Sequence, residues 1–335
     1  MPFQQQAIED LINNCDGNIV ITTHHKPDGD ALGSSLGLWK YLINMGKSAM
    51  VITPTDFPNF LDWMPGRNDL KIYKSHEEEC DALIADAAII FCLDFNDLKR
   101  INEMGDVVAK SAAKKVMIDH HQEPEDFADY IFHTIDTSST CELVYDFIAN
   151  NKTNNHFDAD IAACLYTGIM TDTGGFKHSS TGANTHVAAA KLIASGADHV
   201  AIAQYILDQF TLTRLQLIGY CLAEKLTLLA KGKVALITLG RTELQQFDVK
   251  TGDTEGLVNY GLSVRGVELA VLIIDRTEKV KMSFRSKNRF PCNTFAKENF
   301  DGGGHFHAAG GQSEDTLENT IDRFKEKLEG YKQWL

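Results

Sequence analysis

The sequence predicts an α/β protein. A mainly parallel N-terminal sheet with helices on both faces is joined by a helical connection to a smaller C-terminal α/β domain. Three observations carry this. First, three short runs rich in β-branched and aliphatic residues stay apolar until their last positions: NIVITTH (18–24), AAIIFCLD (87–94) and KVMIDHH (115–121). Such runs fit strands of a parallel sheet buried on both faces. Second, helix-patterned segments lie between them, and strands alternating with helices imply an α/β fold. Third, strand-like runs return after about residue 224, past a long helical stretch.

The elements follow in chain order. GDALGSSLGLWKYLINMG (29–46) places Leu32, Leu36, Trp39 and Leu42 or Ile43 at helical spacing, with Gly46 as a stop. After about residue 136 the pattern turns helical, through STCELVYDFIANN, DADIAACLYTGIMTD, ANTHVAAAKLIASG and ADHVAIAQYILDQF to TRLQLIGYCLAEKL. KVALITLG, VELAVLIID and KVKMSFRS then read as strands of a second sheet, and EDTLENTIDRFKEKLEG from 314 as a helix on it. The expected domains are 1–190, a connection over 191–223, and 224–335.

The chain of 335 residues suits two domains, and its 44% hydrophobic and 23% charged residues are ordinary for a globular protein. No apolar run approaches the ~18 residues that suggest a membrane span. The N-terminus lacks the basic-then-apolar pattern of a signal peptide. Seven scattered cysteines without a CxxC pair fit a reducing cytoplasm, the expected location. A net charge of −14 argues against coating long duplex nucleic acid, which binds through its phosphates. Charge is uneven, however: Lys279–Arg289 holds five basic residues and no acid.

The chemistry lies at the strand ends. His24, Asp28 and Asp30 follow the first run, Asp94 ends the second, and Asp119, His120 and His121 end the third. Asp172, in IMTDTGGF, again stops an apolar run. Each alone reads as a turn, a cap or a structural histidine. Jointly they point elsewhere, because parallel strands gather ligands beyond their carboxyl ends. Packed carboxylates repel one another, and one or two divalent cations remove that conflict. Carboxylates and imidazoles without thiolates suit Mn²⁺ or Mg²⁺, with Fe²⁺ or Co²⁺ tolerated. Two such ions about 3.5–4 Å apart form an engine for cleaving phosphate esters. Downstream, the glycines of DGGGHFHAAGG (301–311) permit close backbone approaches, and exposed amides there suit a phosphate.

The chain resembles the DHH phosphoesterases, whose name is the triplet Asp119-His120-His121. HHKPDGD, FCLD, IDHH and TDTGGF match the family's motifs in order, and GGGHFHAAG (302–310) matches its C-terminal DHH-associated domain. The resemblance implies two divalent ions, Mn²⁺ foremost with Mg²⁺ or Co²⁺ as substitutes. His24 and Asp28 would hold one, Asp30 and Asp172 the other, and Asp94 both, with His120 a ligand beside Asp94. Asp119 would orient His120, and His121 would face the substrate phosphate. Arg285, Ser286, Gly302, Gly303, Gly304 and His305 would contact substrate. His25 and Asp97 are left as structural.

Within that family the longer exonucleases carry an added nucleic-acid-binding domain for which this chain has no room. Family II pyrophosphatases lack GGGH, and the membrane-attached cyclic-dinucleotide enzymes carry extra N-terminal segments. The implied substrates are therefore short single-stranded RNA and small nucleotides, cleaved to mononucleotides, with 3′-phosphoadenosine 5′-phosphate (pAp) dephosphorylated to AMP. Cyclic di-AMP or pApA is the alternative substrate, and a nucleotide sensor without catalysis is the non-enzyme alternative. No membrane partner is expected, and the apolar helical connection is suited to hosting a homodimer contact.

Overall fold

The computed structural model describes residues 4–151, 156–208, 210–250 and 252–335. Met1–Phe3 and Gln209, which fall within the readings of the N-terminus and of the helical connection, lie outside them. The chain divides into two compact units, Met1–Gln209 and Phe210–Leu335. The helical connection expected over 191–223 is divided between them. Ala188, Ala189, Leu192 and Ile202 bury into the first unit's core, whereas Leu217, Ile218 and Cys221 bury into the second's. Each helix thus joins the sheet that covers its apolar face.

The first unit is built on six parallel strands: β1 (Asn18–Thr23), β2 (Ala49–Thr53), β3 (Lys71–Ile72), β4 (Ala87–Leu93), β5 (Lys114–Asp119) and β6 (Tyr130–His133). Their order in the sheet is β3-β2-β1-β4-β5-β6. The direction of strand addition reverses between β1 and β4, which makes that pair the topological switch point. Successive side chains feed opposite faces. Ile19, Ile21, Ile89, Phe91, Val116 and Ile118 join a core with the helices Gly29–Asn44, Thr140–Ala149 and Ala159–Asp172. Val20, Ile90 and Cys92 join another with Glu77–Asp86 and Met104–Lys110. Burial on both faces is why the middles of these strands are apolar.

The helices Gly29–Asn44 and Ala159–Asp172 meet along a stripe of glycines. A Cβ on Gly33 would lie 2.5 Å from the Cys164 carbonyl oxygen, and one on Gly168 would lie 3.0 Å from the Asp30 Cα. Only glycine lets the backbones approach this closely. The contact brings the start of the first helix, with Asp28 and Asp30, to the end of the second, with Asp172.

The second unit carries β7 (Thr227–Leu229), β8 (Val234–Leu239), β9 (Leu269–Asp275), β10 (Val280–Ser286), β11 (Asp301–His305) and β12 (Ala308–Ser313), ordered β11-β12-β10-β9-β8-β7. β8 and β9 are parallel, and the other neighbours are antiparallel. Phe284 and Phe295 pack with Phe324 of the helix Leu317–Glu329 on one face; Ile237, Leu272 and Ile274 pack with Leu257 and Val258 on the other. All seven cysteines are buried free thiols. Among the described residues no helix is long and apolar enough to cross a membrane.

Candidate metal centre

The donors sit where β1, β4 and β5 end, at the switch point of the first unit. β1 stops at Thr23, and His24 follows. Its Nδ1 donates to the His25 carbonyl oxygen at 2.9 Å, which leaves the Nε2 lone pair for a metal. That Nε2 lies 3.4 Å from Asp94 Oδ2 and 4.0 Å from Asp28 Oδ1. Asp28 caps the helix Gly29–Asn44, its Oδ1 accepting from the amides of Asp30 and Ala31 at 3.0 Å.

A second set forms around His120, which follows β5. Its Nε2 is 3.4 Å from Asp94 Oδ1, 3.7 Å from Asp172 Oδ2 and 3.8 Å from Asp30 Oδ2. Asp94 thus turns one oxygen to each set. Ligand atoms of His24, Asp28 and Asp94 lie within 4.8 Å of one another, as do those of Asp30, His120 and Asp172. The first helix supplies Asp28 and Asp30, and the last residue of Ala159–Asp172 supplies Asp172.

Electrostatics show what such a pocket needs. Burial raises the Asp30 carboxyl well above the carboxylate range, and the Asp94 and Asp172 charges raise it further. Burial also works against ionised Asp94, but hydrogen bonding with His120 and His24 holds it well below that range. His120 would lose its proton through burial alone; Asp94, Asp172 and Asp30 push it up to about 10 instead. Protons are compensating buried negative charge. The same donor set, all oxygen and imidazole nitrogen, fits two hard or borderline dications that would take the protons' place.

Asp119, fully buried at the end of β5, departs from the expectation that it orients His120. Its Oδ1 lies 2.7 Å from His121 Nδ1, and its Oδ2 accepts from the His121 amide at 3.1 Å. Consecutive residues leaving a strand project differently, and the turn returns His121, not His120, to the carboxylate. Burial lowers the His121 imidazole's pKa and the Arg100 charge adds to this, against the pull of Asp119. His133 is a residue the sequence reading missed: its Nε2 lies 2.6 Å from the His121 carbonyl oxygen. YIFH repeats the signature of an apolar run ending in histidine, so the signal was present. Asp97, expected to be structural, caps the short turn Leu98–Ile101, accepting from the Lys99 amide at 2.8 Å.

In the second unit, Lys281 and Arg285 share the polar face of β10, opposite Val280, Met282 and Phe284. Ser286, expected at the substrate, is buried instead. Its hydroxyl donates to the Phe290 carbonyl oxygen at 2.8 Å and lies 3.0 Å from His307 Nδ1. With that proton committed, the hydroxyl accepts from the ring N–H and holds His307, which is not among the expected substrate contacts. The expected glycine shelf is a strand: Gly302, Gly303 and Gly304 pair with Gly311, Gly310 and Ala309. Gly302 and Gly304 are required by proximity, since a Cβ on Gly302 would sit 2.2 Å from the Gly310 carbonyl oxygen and one on Gly304 2.7 Å from that of Ala308, whereas a Cβ on Gly303 would meet nothing within 4 Å. β11 is the outermost strand, with a sheet partner on one side only. His305 ends it.

Comparison with known proteins agrees with this architecture. The description "DHH family, N-terminal domain" matches residues 18–169, and "DHHA1 domain" matches residues 231–333. The crystal structure of an exopolyphosphatase-related protein from Bacteroides fragilis is 41% identical, with a TM-score of 0.94, covering 98% of this chain and 96% of that one. The bifunctional oligoribonuclease and PAP phosphatase NrnA of Thermus thermophilus is 28% identical across 97% of this chain and 94% of its own. The cyclic-di-AMP phosphodiesterase GdpP of Bacillus subtilis is 25% identical across 97% of this chain but 49% of its own. The chain belongs to the DHH family of phosphoesterases, its N-terminal domain followed by a DHHA1 domain.

Proposed function

We propose that this protein is a metal-dependent hydrolase that cleaves short oligoribonucleotides to mononucleotides and converts pAp to AMP. One observation carries the reading: two donor sets, His24–Asp28–Asp94 and Asp30–His120–Asp172, share Asp94 at the carboxyl ends of parallel strands. Bound there, two dications, Mn²⁺ foremost with Mg²⁺ or Co²⁺ as substitutes, supply an activated water and neutralise phosphate charge. His121 meets the substrate phosphate. Asp119 holds its Nδ1–H, so Nε2 donates to a phosphate oxygen only when the ring is doubly protonated, a state that the phosphate's own charge favours. In the second unit, Arg285, His305 and the edge strand Gly302–Gly304 recognise a terminal phosphate, and Ser286 contributes by fixing His307. The nearly end-to-end match to a protein named for both activities supports this substrate class.

A second reading, cleavage of cyclic di-AMP or pApA, is favoured by the alignment of GdpP along nearly all of this chain. The test is incubation with Mn²⁺ and a panel: pAp, di- to pentaribonucleotides, long RNA, cyclic di-AMP, pApA and tripolyphosphate. Mononucleotides released from the short RNAs, together with AMP from pAp, are expected. Preference for long RNA, or no turnover of any compound, overturns the proposal. Selective turnover of the cyclic dinucleotide or pApA transfers it to the second reading, and of tripolyphosphate to a polyphosphate hydrolase. Asp94→Asn separates an enzyme, which loses turnover, from a sensor, which has none to lose.

A further inference from the structure

The helix Thr140–Ala149 begins beside the two buried carboxylates that the metal sets have at their centre. The Thr140 amide donates to Asp30 Oδ2 at 2.7 Å and the Cys141 amide to Asp30 Oδ1 at 2.8 Å. The Thr140 hydroxyl donates to Asp94 Oδ1 at 3.0 Å. Thr140 itself is fully buried. It thereby touches one carboxylate from each donor set, yet no sequence motif of the site includes it.

The segment is locked in turn. Ser139 caps the helix, its Oγ accepting from the Glu142 amide at 3.1 Å. Glu142, a buried carboxylate outside the metal centre, accepts from the Ser138 amide at 3.0 Å, the Ser138 hydroxyl at 2.5 Å and the Thr185 hydroxyl at 2.9 Å. A chain of hydrogen bonds thus runs from the helix Ala183–Ala194 through Glu142 and Ser138 to the turn that carries Thr140. A helix needs a cap, but it does not need a second buried carboxylate bracing the residues before it.

We propose that Thr140 is a positioning residue for the metal centre. Its hydroxyl fixes the tilt of Asp94 so that one oxygen faces His24 and the other faces His120. Its amide and that of Cys141 hold Asp30 by both oxygens, against repulsion from Asp94. Each carboxylate oxygen keeps a lone pair for a metal. The inference rests on the two-metal reading above.

The test is titration of the full-length protein with Mn²⁺, read by calorimetry and by electron paramagnetic resonance. Losing an outer partner of a metal ligand typically costs about 10–100-fold in affinity. Thr140→Val, which keeps the shape and the amide, is expected to weaken Mn²⁺ binding by about tenfold or more. Thr140→Ser, which restores the hydroxyl, is expected to bind within about twofold of wild type. Circular dichroism checks folding, and Thr140→Ala replaces the valine variant if that fails to fold. Wild-type affinity in the hydroxyl-free variant, or a serine variant as weak as it, overturns the proposal. A wild-type protein that binds no Mn²⁺ overturns the two-metal reading instead, which keeps the two failures distinct.

Discussion

Asp94 concentrates the demands on this centre in one residue. Its backbone has φ +63°, the left-handed region where few side chains are tolerated. Aspartate and asparagine visit that region more readily than other non-glycine residues. Asp94→Asn is therefore expected to leave the fold intact while removing the shared ligand. Mn²⁺ affinity should fall by more than the roughly 10–100-fold of an outer-partner loss. Calorimetric titration beside an unchanged circular dichroism spectrum checks this. Asp146 tests burial away from the metals. Burial, then the neighbouring Glu142, pushes its carboxyl up to about 6. An unfolded aspartate titrates near about 3.9. Between those values the folded state holds the extra proton, so stability falls as pH rises from about 4 to about 6 and stays lower above. Asp146→Asn is expected to raise Tm by a few degrees at neutral to mildly alkaline pH. The gain should vanish on acidification, and thermal melts across pH decide it.

At the scale of elements, the glycine stripe joins the helices that carry Asp28, Asp30 and Asp172. Gly29, Gly33 and Gly37 recur at four-residue spacing on one face and meet Thr171, Cys164 and Leu165. An alanine at Gly33 improves helix propensity by ~1 kcal/mol but meets a backbone carbonyl that can yield only if the helices separate. Such overpacking typically costs about 1–3 kcal/mol. Gly33→Ala is therefore expected to lower the first unit's Tm and to weaken Mn²⁺ binding, because separation carries Asp30 away from His120. Gly219, in the helix Leu212–Tyr220, has nothing within 4 Å of its Cβ position. There the same substitution should stabilise, by ~1 kcal/mol of propensity alone. Melting both variants side by side separates contact from propensity; equal shifts would refute the packing argument.

Across the whole molecule, each unit has its own sheet with a core on both faces. The described donors of both metal sets belong to the first unit alone. A ligand that binds only the folded state stabilises it by about 2.7 kcal/mol at a hundredfold excess over Kd. Mn²⁺ is therefore expected to raise the first unit's melting transition by several degrees, and EDTA to abolish that gain. The transition of Phe210–Leu335 should stay in place. Scanning calorimetry of the full chain reads both; an equal rise of both transitions would contradict this assignment.

By itself the sequence determined the α/β class, the three buried strands that carry the donors, and the residues at their ends. Those features are written locally: an apolar run interrupted by an acid or histidine shows both where a strand stops and what it presents. Resemblance then grouped the donors into sets. Only the tertiary structure decided which buried polar groups meet. It gave Asp119 to His121 rather than to His120, set Ser286 beneath His307, and paired GGGH as an edge strand. It also divided the connecting helices between two cores and brought Thr140 to Asp30 and Asp94 across more than forty residues of chain. Periodicity specifies the face that a residue occupies. The partner of a buried hydroxyl or carboxylate depends on how distant segments pack, and no local pattern records that.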